Sequence, residues 1–184
     1  QRGWLYRQLP RYEHFADYER AVFGEQESVE ILMISETQQP FFEKYYNTSS
    51  SRMHFLPPGI SRDRIAPANA EEIREQKRRE LNVADDERLV IMVGSGFIKK
   101  GLRRALYAIK SLEKSLRNKT WFYIIGEDNE APFKRLALLL GISDRIVFMS
   151  GRDDVPEFML AGDLMLHPAM DENAGIVLLE AIVS

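Results

Sequence analysis

The sequence contains no cysteine, which excludes a disulfide framework and a thiolate metal site. It has only three histidines, His14, His54 and His167, so we expect no histidine-rich metal site either. The 25 Lys and Arg residues are outnumbered by 28 Asp and Glu residues, and the net charge of −3 gives no global basic field for nucleic acid. No run reaches the roughly 18 apolar residues that a transmembrane helix needs, and no signal peptide is recognisable.

Apolar residues make up 45% of the 184 residues, which is enough for a real hydrophobic core. This length fits one domain or parts of two. The chain begins at Gln1, without a methionine, and ends at Ser184 within an apolar helical pattern. We therefore expect it to be a fragment of a longer protein.

The second half of the sequence alternates regularly between strand-like and helical segments. Continuous apolar runs typical of strands covered on both faces occupy 89–95, 120–126, 145–151 and 163–169, and helical patterns occupy 102–112, 131–141 and 155–162. This alternation predicts an α/β fold with a parallel sheet and helices on both faces. Ligands of such sheets bind outside the carboxyl ends of the strands.

The first half is less regular. It predicts a strand at 29–34, a helix at 40–46 with Thr37 as a possible N-cap, and a strand at 53–56 before a Pro-Pro-Gly turn. The following charged stretch predicts a solvated connector with a helix capped by Asn69. We therefore predict three parts, at residues 1–62, 63–88 and 89–184.

A glycine-rich loop carrying two lysines follows the first regular strand. Gly96 and Gly101 have P-loop spacing, but the Lys-Ser/Thr of a Walker motif is missing, and the loop also lacks dinucleotide-fingerprint spacing. Glycines let backbone N–H groups approach an anion, and Lys99 and Lys100 suit a diphosphate as compact charges. An ordinary turn with solvated lysines explains this loop about equally well.

Two further charged or titratable residues follow strands. Arg152 directly follows the third strand region, at the edge of the sheet where a ligand would bind. The alternative is that Arg152 is an exposed side chain before a helix capped by Asp153 or Asp154. His167 ends the fourth strand region, and a lone histidine in an apolar run is more often a satisfied core residue than a catalyst. We interpret His167 as structural.

The last segment contains an acid in an unexpected place. Glu180 lies within a continuous apolar run that predicts a buried helix, and an ionised carboxylate there is costly unless something hydrogen-bonds it. Glu172 lies in the polar loop before this helix. The free N–H groups of Ala174, Gly175 and Ile176 would face a ligand crevice, and the carboxylates could accept hydrogen bonds from neighbouring sugar hydroxyls. The alternative is that Glu172 interacts with the helix dipole and Glu180 pairs with a lysine or arginine.

Together, the glutamate pair with Gly175, the loop Gly94-Ser95-Gly96 with Lys99-Lys100-Gly101, and the turn 57–60 resemble retaining glycosyltransferases of the GT-B class. The strings SGRDDV, LMLHPA and ENAGIVLLEAI resemble most the subgroup that adds the first outer-core glucose to bacterial lipopolysaccharide. The resemblance implies that the chain is an α/β fragment of a GT-B enzyme, which has two Rossmann-like domains. The fragment would contain mainly the first half of the C-terminal, parallel-sheet nucleotide-sugar domain. Residues 1–62 would be the tail of the N-terminal, acceptor-side domain.

The resemblance also assigns residues by position. The family's E-x(7)-E pair falls on Glu172, which would contact the donor sugar, and on Glu180, which would contact the ribose. Lys99 and Lys100 would bind the diphosphate and stabilise the departing UDP without a metal. The remaining implied donor-binding residues are Gly96, Arg152 near the base, and the backbone at Ala174, Gly175 and Ile176.

The function implied by this resemblance is transfer of glucose, with retention, from UDP-glucose to an inner-core heptose on a lipid-linked acceptor. No cofactor, metal or nucleic acid is expected, and the fragment alone should not catalyse transfer. The alternatives are another retaining GT-B transferase with a different donor and acceptor, or a non-catalytic binding domain. The implied location is the cytoplasm, at the inner face of the bacterial inner membrane.

The first 23 residues interleave aromatic residues with arginines, a composition that suits an interface with anionic lipid. The interpretation that this segment is a helix packing its aromatic residues onto the domain is equally favoured, because Glu13, Asp17 and Glu19 are interspersed. The aromatic residues are Trp4, Tyr6, Tyr12, Phe15, Tyr18 and Phe23, and the arginines are Arg2, Arg7, Arg11 and Arg20.

Overall fold

The computed structural model describes residues 7–170, 172 and 174–184. The chain forms two compact units, Gln1–Pro58 and Gly59–Ser184. Among the described residues, no helix has both the length and the hydrophobicity to span a membrane. Arg2, Trp4 and Tyr6 of the aromatic and arginine-rich start lie outside the described residues.

The smaller unit contains a strand–helix–strand arrangement, as the sequence predicts, with a helix before it. The two short strands pair in parallel, with Ile31 opposite Met53, and the aromatic ring of Phe23 stacks on that of Phe42 at 4.4 Å. Thr37 lies inside a short 3-10 turn rather than at the helix N-cap, which is Gln38. The elements are α1 (Pro10–Phe23), β1 (Ile31–Met33), α2 (Gln39–Tyr46) and β2 (Met53–Phe55).

The larger unit is built on a four-stranded sheet in the order β5–β4–β3–β6, and all three strand pairs are parallel. Its elements, in chain order, are α3 (Ala70–Glu80), β3 (Arg88–Val93), α4 (Leu102–Ser111), α5 (Lys114–Arg117), β4 (Thr120–Ile125), α6 (Ala131–Leu140), β5 (Ile146–Met149), α7 (Val155–Ala161), β6 (Leu164–Met165) and α8 (Ile176–Val183).

Both faces of this sheet are covered, which explains why its central strands are apolar throughout. Alternate residues of β3 and β4, such as Met92 and Phe122, pack with α4 and α6. The residues between them, such as Ile91 and Tyr123, pack with Phe158 of α7. Each central strand therefore contributes side chains to two separate hydrophobic layers, as expected for a parallel sheet between helices.

The fourth predicted strand is much shorter than expected: β6 has two residues instead of the seven predicted. Its register is nevertheless fixed by Asp163, whose backbone N–H donates to the Leu89 carbonyl at 2.8 Å and whose carboxylate accepts from the Leu89 N–H at 2.7 Å. Leu166 extends the pairing by donating to the Ile91 carbonyl. A side chain therefore replaces part of the backbone ladder at the start of β6.

The charged stretch predicted to be a solvated connector is part of the larger unit instead, because its basic side chains have specific partners. Arg74 donates from Nη1 to the carbonyls of Leu160, Ala161 and Gly162, which are the acceptors left open at the C-terminal end of α7. Lys77 is buried. Asn69 is the N-cap of α3, as predicted, but its side chain makes no capping hydrogen bond.

The prediction of a buried final helix is wrong for this chain. No residue of α8 is buried, and the side chain of Ile182 is 79% exposed. Val177 packs against the layer that contains α7, and the Val183 carbonyl accepts a hydrogen bond from the Ala66 N–H at 2.8 Å. Ile176, Leu178 and Ile182 are exposed.

The loop after β3 approaches the segment after β6 very closely at Gly101. Gly101 has φ +77°, and a Cβ added there would lie 2.0 Å from the carbonyl oxygen of Pro168. Only glycine fits this contact without displacing backbone. The backbones that follow β3 and β6 are therefore in direct steric contact at this point.

Replacing Gly101 with alanine should therefore destabilise the larger unit more than replacing Gly141. Gly141 also has positive φ, at +65°, but a Cβ there would meet nothing within 4 Å. We expect G141A to cost about 1–2 kcal/mol of the free energy of unfolding, and G101A to cost roughly 1–3 kcal/mol more through the clash. Urea denaturation of both variants measures the difference, and equal destabilisation would show that the close approach is not a constraint.

Candidate functional site

The loops after β3 and β6 meet where the strand order of the sheet reverses. The chain passes outward from β3 to β4 and β5, and then returns to place β6 on the other side of β3. Two neighbouring loops leave the sheet in opposite directions at such a point, which opens a crevice at the carboxyl ends of the strands. Residues 94–101, 167–170, 172, 174 and 175 lie at this edge of the sheet.

The glycine-rich loop is joined by two hydrogen bonds to the segment that follows β4. The Ser95 hydroxyl accepts a hydrogen bond from the Glu127 N–H at 3.0 Å, and the Asp128 carboxylate accepts from the Phe97 N–H at 2.7 Å. Gly96 has φ +76°, and nothing lies within 4 Å of where its Cβ would be. The loop therefore presents bare backbone to open space at Gly96.

Glu172 accepts two side-chain hydrogen bonds on one carboxylate oxygen. Lys100 Nζ lies 2.5 Å and His167 Nε2 lies 2.8 Å from Glu172 Oε2. The pKa of Glu172 is lowered to about 2, although burial opposes the shift. The main cause is the hydrogen bond from Lys100, followed by that from His167, and the backbone N–H of Gly175 contributes as well. Glu172 is thus an ionised acceptor at neutral pH, already paired with a cation.

The two predicted lysines are in different environments. Lys100 is partly buried against Glu172, whereas Lys99 is exposed. The backbone carbonyl of Lys99 accepts a hydrogen bond from the Met170 N–H at 2.9 Å, which again joins the β3 loop to the segment after β6. Of the two lysines, Lys100 is the one whose side chain contacts Glu172, the predicted sugar-binding residue.

His167 is the site residue that the sequence analysis missed. Its side chain is only 3% exposed, as a core residue should be, but it is not satisfied: Nδ1 is buried without a hydrogen-bond partner among the described residues. Its other ring nitrogen contacts Glu172. Its position directly after a strand, at the ligand-binding edge of the sheet, was the signal that could have identified it.

Arg152 is held away from this cluster by its neighbours. Its guanidinium pairs with Asp154 and lies over the ring of Phe158 at 4.8 Å. Lys77 binds the same carboxylate at 3.0 Å. The hydrogen bond from Arg152 is the main cause that holds the pKa of Asp154 well below its usual value, and Asp154, although it is the N-cap of α7, makes no side-chain cap hydrogen bond.

Glu180 has an arginine partner. Its carboxylate lies 3.8 Å from Nε of Arg64, and its side chain is 22% exposed. This contact agrees with the ion pair that the sequence analysis kept as the alternative to ribose binding. The pairing does not decide between the two, since a ligand could replace Arg64.

The backbone around Gly175 is arranged as predicted for the start of a helix. Gly175 has φ +59° and forms the N-cap of α8. A Cβ at Gly175 would lie 3.7 Å from Cγ of Glu172, so this residue packs on the stem of the glutamate. Ala174 precedes it and Ile176 opens the helix, while Asp171 and Asn173 of the same loop lie outside the described residues. Within the described ranges, no three His, Asp or Glu side chains are grouped to hold a metal ion.

The family model described as glycosyl transferases group 1 matches residues 73–184, which is more than half of the chain. The chain belongs to this family. The match begins within α3, which is consistent with the packing of the charged stretch into the larger unit. The predicted class of enzyme, a glycosyltransferase, is therefore confirmed.

Among curated relatives, the lipopolysaccharide glucosyltransferase WaaG of Escherichia coli K12 is 42% identical over 184 residues, which cover 100% of this chain and 49% of that protein. The D-inositol 3-phosphate glycosyltransferase of Salinispora tropica is 30% identical over 149 residues, covering 74% of this chain and 31% of that protein. The chain thus spans about half the length, or less, of the relatives it matches.

Solved structures give the same relationship. A crystal structure of WaaG superposes with a TM-score of 0.90 at 42% identity, covering 98% of this chain and 49% of that one. Anabaena Alr3699/HepE in complex with UDP and glucose superposes with a TM-score of 0.73 at 18% identity, covering 86% and 43%. The predicted fold, an α/β fragment of a GT-B glycosyltransferase, is confirmed by the WaaG match, and the HepE match supports the fold alone.

Replacing Lys100 with methionine should raise the pKa of Glu172, whereas replacing Lys99 should not. Because the pKa of Glu172 in the folded chain is about 2 and the ordinary value is about 4.3, its interactions stabilise the fold above about pH 4 and lose effect as the pH falls toward 2. Carboxyl ¹³C NMR through an acid titration measures the Glu172 pKa in K100M and in the matched K99M. An unshifted Glu172 in K100M would contradict the assigned ion pair.

Proposed function

We propose that this chain carries much of the donor site of a retaining glucosyltransferase that uses UDP-glucose. The observation that carries the proposal is the ionised Glu172, placed beside Lys100 where the sheet order reverses. The similarity to a lipopolysaccharide glucosyltransferase supports glucose as the transferred sugar. The chain alone is proposed to bind the donor rather than to complete the transfer.

In this proposal each residue acts through its charge or its exposed backbone. Glu172 accepts hydrogen bonds from donor-sugar hydroxyls, and a carboxylate oxygen can accept more than one. Lys100 and Lys99 bind the diphosphate and stabilise the charge that develops on departing UDP, so no metal is needed. Gly96 lets the loop approach the phosphates, and Ala174, Gly175 and Ile176 supply backbone N–H groups at the start of α8.

The nucleoside is assigned to the two remaining residues. Glu180 binds the ribose hydroxyls, which requires the donor to compete with Arg64 at 3.8 Å. Arg152 lies near the base, held by Asp154. Both residues have protein partners that keep their charged groups in place before the donor binds.

We further propose that the acceptor is an inner-core heptose of lipopolysaccharide, on a lipid-linked acceptor at the cytoplasmic side of the inner membrane. The support is the 42% identity across this chain to WaaG, a lipopolysaccharide glucosyltransferase, together with the resemblance described in the sequence analysis. Comparing the binding of UDP-glucose, UDP-galactose and UDP-N-acetylglucosamine distinguishes this proposal from a transferase with another donor.

Replacing Glu172 and Glu180 should affect different parts of the donor. We expect E180Q to weaken UDP and UDP-glucose alike by roughly tenfold or more, the worth of a hydrogen bond to a charged group. E172Q should weaken UDP-glucose relative to UDP, and UDP itself should bind at least as tightly as before, because Lys100 loses its carboxylate partner. Isothermal titration calorimetry measures both, with the exposed Glu71 replaced by glutamine as the control.

A folded chain that binds neither nucleotide would contradict the donor site and favour a non-catalytic domain. Equal effects of E172Q on UDP and UDP-glucose would contradict the assignment of Glu172 to the sugar. Circular dichroism of each variant establishes that the chain is folded.

We also propose that α1 contacts anionic lipid peripherally. The side chains of Phe15 and Tyr18 are 47% and 62% exposed, and the Arg11 guanidinium lies 5.4 Å from the Phe15 ring centroid. An exposed aromatic group beside an arginine suits a headgroup region. By contrast, Phe23 at the end of α1 packs within the smaller unit.

Vesicle co-sedimentation tests this contact. We expect binding to increase with the fraction of anionic lipid, because Arg11 and the neighbouring arginines meet a negative surface potential, and to fall when Phe15 and Tyr18 are both replaced by serine. Sedimentation that is independent of anionic lipid would remove the membrane assignment.

A further inference from the structure

The proposed donor site contains a competition for Lys100. In this structure Lys100 is 2.5 Å from Glu172, so the carboxylate neutralises much of its charge. A diphosphate carries more negative charge than a single carboxylate and attracts the same ammonium group. When a donor binds, Lys100 must turn at least partly toward the phosphates, and Glu172 loses its strongest partner just when it has to hold the sugar.

His167 is placed to prevent Glu172 from moving. We infer that His167 is a positioning residue, which keeps the Glu172 carboxylate oriented toward the donor sugar while Lys100 turns to the diphosphate. The inference rests on the proposed function of Glu172. It assigns His167 no contact with the donor itself.

The hydrogen-bonding groups fix the direction of this interaction. The ionised Glu172 can only accept, so Nε2 of His167 must carry the proton it donates across 2.8 Å. The opposite nitrogen, Nδ1, is buried and has no hydrogen-bond partner among the described residues. Within that part of the chain, the hydrogen bond to Glu172 is therefore the polar contact through which the His167 ring acts.

The two donors also differ in how firmly they are held. The His167 side chain is 3% exposed and that of Lys100 is 25% exposed. The residue before His167 is tied to β3 by the hydrogen bond from the Leu166 N–H to the Ile91 carbonyl, and the residue after it packs against Gly101. A lysine has a flexible stem, whereas the imidazole is fixed to the sheet. The rigid donor can therefore stay on Glu172 when the flexible one leaves.

Two substitutions separate the hydrogen bond from the packing of the ring. H167Q keeps an N–H donor close to the position of Nε2, and H167M fills similar volume without a donor. Isothermal titration calorimetry with UDP and with UDP-glucose gives two affinities. Their ratio, the sugar advantage, measures how much the sugar contributes to binding. We expect H167M to lose roughly tenfold of that advantage and H167Q to retain most of it, with UDP affinity unchanged in both. Denaturation curves of both variants establish that they are folded.

A second measurement does not require a ligand. In the free protein, the pKa of Glu172 should rise above about 2 in H167M and stay near it in H167Q, because only H167M loses a donor to the ionised form. Carboxyl ¹³C NMR reports this pKa directly. A residue with only a structural role would not move it.

The outcomes distinguish this inference from the proposed function. If wild-type chain binds UDP-glucose and E172Q loses the sugar advantage, but H167M keeps it, His167 is not a positioning residue. The same conclusion follows if H167Q loses as much as H167M. If the folded wild type binds neither nucleotide, the proposed function fails. An unshifted Glu172 pKa in H167M overturns the inference whether or not a nucleotide binds.

Discussion

The register of β6 on β3 is the constraint on which the candidate site depends. β6 contains only two residues, so backbone pairing alone fixes it weakly, and a slip of one residue would turn every following side chain to the opposite face. Asp163 removes this freedom, since its N–H and its carboxylate both engage Leu89. Arg74 and Arg78 bind the same carboxylate, and these interactions together hold its pKa below the usual value despite burial. A charged side chain network thereby places His167 and Glu172 at the β3 loop.

The charged groups at the site are mostly neutralised before any ligand arrives. Lys100 is paired with Glu172, Arg152 with Asp154, and Glu180 with Arg64. Partners of this kind keep ionised side chains in defined positions, but each one must be exchanged or stretched when a charged ligand binds. Much of the electrostatic attraction toward the proposed nucleotide ligand would therefore be offset by the loss of these internal pairs. Specificity then depends on how well the ligand's geometry replaces them.

The sequence predicted the four strands of the sheet and the helices between them, because continuous apolar runs and helical periodicity reflect burial directly. The resemblance assigned Glu172, Lys100 and Gly175 to different parts of one donor, and in the structure these three residues lie close together. Prediction from the sequence failed where contacts between distant residues decide the outcome. The sequence predicts a solvated basic face for α3, because it does not show that the carbonyls at the end of α7 accept hydrogen bonds from Arg74. His167 reads as a core residue because its partner, Glu172, follows five residues later in a polar loop. The length of β6 could not be predicted, since Asp163 supplies with its side chain what a longer strand would supply with its backbone.

The contact between Gly101 and the Pro168 carbonyl also bears on how this part of the molecule can vary. The glycine loop and the segment around His167 are far apart in the chain, yet neither has room to change its backbone path unless the other changes with it. They form one structural module with two separate stretches of sequence. Exchanging one of these loops between relatives would therefore disrupt the contact between the two stretches, whereas exchanging both stretches together would preserve it.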